Sequence, residues 1–222
     1  MTGCSLWLVP PQDSPLYEKL ATLISDTLPA QFPEAASATP ERLVTAGFVP
    51  HVTLTSDVPV DLFTRAGEDD EARRRADAQA WLEGVKVSLP RGDEVDVRFR
   101  ELEVGDKFTQ KLKLRVEQNG IADLALWARI LAVEDGLSTP AQRWVDDVYR
   151  PHLSLIYGSI DIDEAKRNQL RKLIDNTTGI SVHGSGSVYG SEDVGGWKGG
   201  SVWLVPTYKP IPEWTPWAEV RI

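Results

Sequence analysis

Apolar positions along the chain fall into segments of two periods. Leu6 to Val9 lies in "SLWLVP" (Ser5 to Pro10), which "SVWLVP" (Ser201 to Pro206) echoes near the other end, so the two ends are expected to be neighbouring strands. Val95, Val97 and Phe99, then Leu112, Leu114 and Val116, alternate with polar residues as half-buried strands do, and "EVGDK" between them predicts a hairpin turn. Helical spacing links Leu16, Leu20, Leu23, Ile24 and Leu28, behind Ser14 as N-cap and Pro15 at the first helical position. The stretch "DVPVDLFTRAGEDDEARRRADAQ" reads as a charged linker entering an alanine-rich helix that ends near Gly84, its charges a solvated face. Two further helices are predicted, Asn119 to Glu134 and Ile162 to Ile174, the second behind the capping candidates Asp161 and Asp163. Glycine-rich "HGSGSVYGSEDVGGWKGG" (His183 to Gly200) predicts short strands joined by turns, with "GGWKGG" a candidate lid. Interspersed strands and helices with hairpin connections predict an α+β fold with antiparallel sheets rather than a parallel βαβ array.

Two predicted strands share a frame. "FVPHVTLTS" (Phe48 to Ser56) returns about a hundred residues later as "YRPHLSLIYG" (Tyr149 to Gly158), each with a proline, a histidine, an aliphatic residue, a hydroxyl residue and a leucine in that order. Side chains at i and i+2 of a strand share a face, so His51 with Thr53 and His152 with Ser154 each present an imidazole beside a hydroxyl. Val52, Leu54, Leu153 and Leu155 then point into a core. The same alternation puts Thr55 on the polar face, and puts Tyr157 opposite His152 unless the strand bulges or ends. Two such strands across a cleft set imidazoles on opposite sides of one ligand atom. In-line cleavage of a phosphodiester needs that arrangement: a base for water, an acid for the departing oxygen, and hydrogen bonds to the nonbridging oxygens. Histidine serves as either near neutral pH, and a strained, singly charged cyclic phosphate can be opened without a metal.

Composition narrows the partners. The 222 residues, 41% hydrophobic, can bury a sizeable core, either as one larger domain or as a single domain of two lobes. A net charge of -9 and a pI near 4.9 disfavour polynucleotides, although Arg98, Arg100, Lys111, Lys113 and Arg115 form a candidate basic strip. A small phosphate ligand needs only a local site. Cys4 is the one cysteine, so no intramolecular disulfide is possible, and without a secretory leader or an apolar span the chain is expected to be soluble and intracellular. The three histidines lack the spacing of paired zinc ligands, so neither a metal nor a cofactor is expected. A lone strand histidine is ordinarily structural, the reading given to His183, which has no hydroxyl at i+2. Trp7 and Trp203 are expected to be packing residues, and Trp197 is left open. No G-x-x-x-x-G-K-[ST] loop and no G-x-S-x-G elbow is present.

The opening "SLWLVP", the motifs "HVTLTS" and "HLSLIYG" and their separation resemble the 2H phosphoesterase superfamily, specifically its fungal and plant cyclic phosphodiesterase (2',3'-cyclic-nucleotide 3'-phosphodiesterase) branch, over essentially the whole chain. The resemblance implies one bilobal domain, residues 1–222, with two antiparallel sheets in pseudo-twofold symmetry around a central cleft and helices on the outer faces. It also implies metal-independent hydrolysis of ADP-ribose 1'',2''-cyclic phosphate, a tRNA-splicing by-product, to ADP-ribose 1''-phosphate, and of nucleoside 2',3'-cyclic phosphates to 2'-phosphates. His51 and His152 become the acid–base pair, provisionally acid and base respectively, and Thr53 and Ser154 bind phosphate oxygens. Tyr157 is carried over from the second motif, and Phe108, Gln110 and Lys111 are cleft-lining candidates by looser analogy. A cytoplasmic monomer acting on a small nucleotide cyclic phosphate is expected, with the Golgi association of fungal members a further implication. Two alternatives stay open, an RNA-end processing enzyme of the same superfamily and a nucleotide-binding module without turnover.

Overall fold

In the computed structural model, which describes residues 3–33, 47–63, 70–183, 186–190 and 194–222, the alternating segments become one large sheet. Its strands are β1 (Cys4–Val9), β2 (Val52–Val58), β3 (Asp96–Val104), β4 (Leu112–Val116), β5 (His152–Ile156), β8 (Gly196–Lys198), β9 (Ser201–Val205) and β10 (Ala218–Arg221). β6 (Ser181–Val182) and β7 (Val188–Tyr189) form a separate pair. The curled eight-stranded sheet is antiparallel, in the order β10-β9-β1-β2-β5-β4-β3-β8. It divides into two four-stranded halves joined where β2 meets β5 through a single register pair, Val52 with Leu153. Each is the residue after a motif histidine, so the pseudo-twofold axis passes between the two motifs. Exchanging the halves matches β2 to β5, β1 to β4, β9 to β3 and β10 to β8.

The chain ends pair as the echo predicts. β1 and β9 run antiparallel with Trp7 opposite Trp203. At the entry to β9, Gly200 has φ 122°, and a Cβ there would lie 2.3 Å from the Val9 carbonyl oxygen, so only glycine lets the strands approach. The hairpin of β3 and β4 forms, with a longer connection than a tight turn, because Phe108–Gln110 adds a 3-10 turn.

Five α-helices occur among the described residues: α1 (Pro15–Thr22), α2 (Glu71–Lys86), α3 (Ala122–Ala132), α4 (Ser138–Asp147) and α5 (Glu164–Thr178). Ser14 caps α1 by accepting from the Tyr17 amide at 3.2 Å, and the helical path continues through a wider π turn, Leu23–Thr27. Asp163, not Asp161, caps α5, which runs past Ile174 to a left-handed Gly179. α2 extends two residues beyond Gly84, while residues 64–69 of the linker lie outside those described. α4 is absent from the sequence expectations, because only Ala141 and Val145 of its ten residues are buried, a sparse apolar stripe.

Leu16, Leu20, Ala78, Leu82, Leu124, Ala128, Leu170 and Ile174 on the helices join Leu6, Leu8, Val52, Leu54, Leu153 and Leu155 on the strands in one core. Each fully buried leucine contributes about 2 kcal/mol. The opposite face of the sheet keeps a smaller apolar cluster, Trp7, Val9, Trp203 and Val205. "GGWKGG" is not a lid. It contributes the edge strand β8, in register with β3, and Trp197 is buried edge-on against Phe99.

Candidate active site

Both motif histidines are held by the same local device. The residue before a proline is restricted to extended backbone, and in each motif that residue's carbonyl turns back to the imidazole two positions on. His51 Nδ1 lies 2.7 Å from the Val49 carbonyl oxygen, and His152 Nδ1 lies 2.9 Å from that of Arg150. A carbonyl only accepts, so each Nδ1 carries the proton and each neutral ring keeps its lone pair on Nε2. The carbonyl ahead of each repeated proline therefore fixes the tautomer.

The strands then break alternation at matching places. In β2, Leu6 pairs with Thr55 and Trp7 with Thr53, so Leu54 is an extra residue; in β5, Leu112 pairs with Ile156 and Lys113 with Ser154, so Leu155 is the extra residue. A bulge reverses the facing of the residues beyond it. Tyr157 consequently turns to the side of His152 and Ser154. Ser56, its counterpart in the first motif, lines the same cavity, whereas Thr55 is fully buried away from it, contrary to strict alternation. Arg129 of α3 braces the first bulge, donating to Thr55 Oγ1 at 3.5 Å and to the Ser56 carbonyl at 3.4 Å while pairing with Glu134 at 2.8 Å.

A cavity of about 180 Å³ brings together His51, Thr53, His152, Ser154, Tyr157 and Gln110. Thr53 Oγ1 has no hydrogen-bond partner among the described residues, and Ser154 Oγ donates to the Thr109 carbonyl at 2.9 Å. Tyr157 is within hydrogen-bonding reach of Ser154, and its ring stacks on Phe48 at 4.0 Å. Phe108 does not line the cavity: its ring packs against the core, and its carbonyl accepts from the Gly158 amide at 2.9 Å. Lys111 is not in the lining either. His183 sits by the small sheet against Tyr189, away from the cavity.

Sequence reasoning missed part of the lining. Trp7, expected as packing alone, is buried and also stacks on His51, with centroids 3.6 Å apart and planes 10° off parallel. Trp214, its indole N–H held by the Lys209 carbonyl at 2.8 Å, meets Trp7 and Tyr157 edge-on. Ser5 and Thr207 close one end, their hydroxyls 2.7 Å apart. Trp7 had a usable signal, since its strand adjoins the first motif; Trp214 and Thr207, from late loops, had none.

Electrostatics separate the two rings. Burial lowers the pKa of His51 to about 4, more than the Val49 bond raises it. His152 is also lowered, first by burial and then by Lys113 and Arg115, with the Arg150 carbonyl and Glu103 acting in the opposite direction. With both held below the ordinary imidazole value, the rings are neutral at pH 7. The basic strip is neutralised in part, because Arg98 pairs with Asp96 at 2.8 Å, and Lys113 and Arg115 both pair with Glu103 at 3.1 Å. Among the described residues, no three His, Cys, Asp or Glu side chains gather as a metal set, and no helix is long and apolar enough to cross a membrane.

The whole chain, residues 1–222, matches the family model described as cyclic phosphodiesterase-like protein. A Neurospora crassa protein named 2',3'-cyclic-nucleotide 3'-phosphodiesterase is 35% identical over 99% of both chains. A Phaeosphaeria nodorum protein of the same name is 34% identical over 99% of this chain and 98% of its own, and one from Saccharomyces cerevisiae is 25% identical over 86% and 82%.

Proposed function

As this chain belongs to the cyclic phosphodiesterase-like protein family and is a cyclic phosphodiesterase, we propose that it opens nucleoside 2',3'-cyclic phosphates to 2'-phosphates, and ADP-ribose 1'',2''-cyclic phosphate to ADP-ribose 1''-phosphate, by metal-independent two-histidine catalysis. One observation carries this reading: two imidazoles, each locked with Nδ1 protonated, line one cavity on either side of a pseudo-twofold axis. His152, the more exposed ring, is reached by water and takes its proton as the water oxygen attacks phosphorus. The P–O3' bond breaks, and His51 gives its proton to the departing oxygen. Giving that proton requires the bound phosphate anion to raise the pKa of His51 above about 4. Thr53 donates to a nonbridging oxygen, and Ser154 does so after releasing the Thr109 carbonyl.

The cavity suits a phosphate and the sugar ring bearing it, with the rest of the ligand extending outward. Pairing of Arg98, Lys113 and Arg115 with carboxylates weakens the case for a polynucleotide track and favours the small substrate over RNA ends. Identifying the phosphorus products of the two cyclic phosphates tests the substrate class: 2'- and 1''-monoesters are expected, and inert small substrates beside cleaved RNA ends would overturn it. A 3'-sulfur substrate tests the division of roles, because a thiolate leaves without a proton. It is expected to restore turnover to His51→Ala but not to His152→Ala; the reverse rescue would exchange the roles.

A further inference from the structure

The two halves hold their histidines alike and surround them differently. Trp7 of β1 pairs with Thr53; its counterpart, Lys113 of β4, pairs with Ser154. One strand further out, Trp203 lies opposite Trp7, and Glu103 lies opposite Lys113. An indole pair on one side thus answers an ion pair on the other. The Glu103 carboxylate spans two cations, taking Lys113 Nζ on Oε1 and Arg115 Nη1 on Oε2, each at 3.1 Å. Arg115 is the cross-strand partner of His152. Lys113, with a side chain only 9% exposed, also donates at 3.2 Å to Oε1 of the cavity-lining Gln110.

We propose that Glu103 is a positioning residue for the reaction: by holding and neutralising Lys113 and Arg115 beside His152, it keeps that ring able to exchange protons and makes it chemically unequal to His51. This role presupposes the acid–base function of His152 proposed above. Among the described residues, Lys113, Arg115 and Glu103 are the charged groups acting on His152, and His51 faces it across the cavity. The two cations oppose a positive imidazolium and the carboxylate favours it. Removing the carboxylate leaves both cations unopposed, one of them buried. Among the described residues His51 has no such neighbours, since Trp7 and Trp203 fill the positions matching Lys113 and Glu103, so Glu103 acts on one ring of the pair. The same contact fixes Gln110: with its Oε1 taken by Lys113, its amide N–H groups remain to donate to a ligand oxygen.

Imidazole NMR titration of the ligand-free protein tests this with wild type, Glu103→Gln, Glu103→Asp and the double variant Glu103→Gln/Lys113→Met. In Glu103→Gln the His152 titration is expected to move down by about half to one pH unit while His51 moves far less. Aspartate is expected to restore part of the shift, and the double variant, with one cation removed, to return His152 towards wild type. The ring proposed as base would carry its shift into the pH profile of kcat/KM. An unmoved His152 in folded Glu103→Gln, equal movement of both rings, or no return in the double variant would overturn the proposal. Titration requires no turnover, so failure to open cyclic phosphates would sink the functional reading while leaving this result to stand or fall alone.

Discussion

The chemistry of single residues is set by what each touches. His51 lies between Trp7 and the Val49 carbonyl and is 5% exposed, whereas His152 is more open and flanked by an ion cluster. Replacing either histidine by alanine removes a proton-transfer group and is expected to lower kcat by about 10² to 10⁴. Because kcat/KM reports the free enzyme, and both pKa values there lie below the ordinary 6.5, its bell is expected to peak on the acid side of pH 6.5. The kcat bell, in which bound phosphate stabilises both imidazoliums, should sit at higher pH. Parallel pH–rate measurements would check this, and a flat profile between about pH 5 and 9 would contradict acid–base catalysis. At this scale the sequence was informative: two His-x-hydroxyl frames with matching prolines single out four side chains that the fold brings to one cavity. Trp7 was read as packing because burial and stacking on an imidazole leave the same apolar signature in a strand.

Elements decide which of these residues meet. The paired bulges at Leu54 and Leu155 turn Ser56 and Tyr157 into the cavity, and strict alternation cannot foresee them, since a bulge depends on the partner strand's register. Arg129 reaches from α3 to hold the first bulge. Arg129→Met is therefore expected to cost about 3 kcal/mol of stability, mostly by leaving Glu134 unpaired, and to raise KM as Ser56 loses its support. Urea unfolding and steady-state kinetics on the variant would show both effects; an unchanged KM would separate the brace from the site. Helices and strands with strong periods were legible, as β1, β3, β4 and α1 show. α4 was not, because its sparse apolar residues resemble a loop.

For the molecule as a whole, two four-stranded halves meet at one residue pair and bury imidazoles near the seam, which ties stability to pH. His51 titrates at about 4 when folded and near 6.5 when unfolded, so the unfolded chain takes up the extra proton as pH falls between these values. The contribution is complete above about 6.5 and is lost on descent through about 4, up to roughly 3 kcal/mol. Wild type should consequently lose more stability than His51→Gln over that window, and parallel denaturation curves would contradict the buried neutral ring. Antiparallel α+β architecture and the neighbouring chain ends were legible in the sequence, whereas the joining of the halves into one sheet depends on the long-range meeting of β2 and β5 and has no local signal. The most direct test of two-histidine catalysis is phosphorus NMR of a nucleoside 2',3'-cyclic phosphate incubated with EDTA-treated wild type, His51→Ala and His152→Ala. The structure predicts conversion to the 2'-phosphate by wild type and loss of that conversion in both variants; wild-type turnover in either variant, or abolition by EDTA alone, would contradict it.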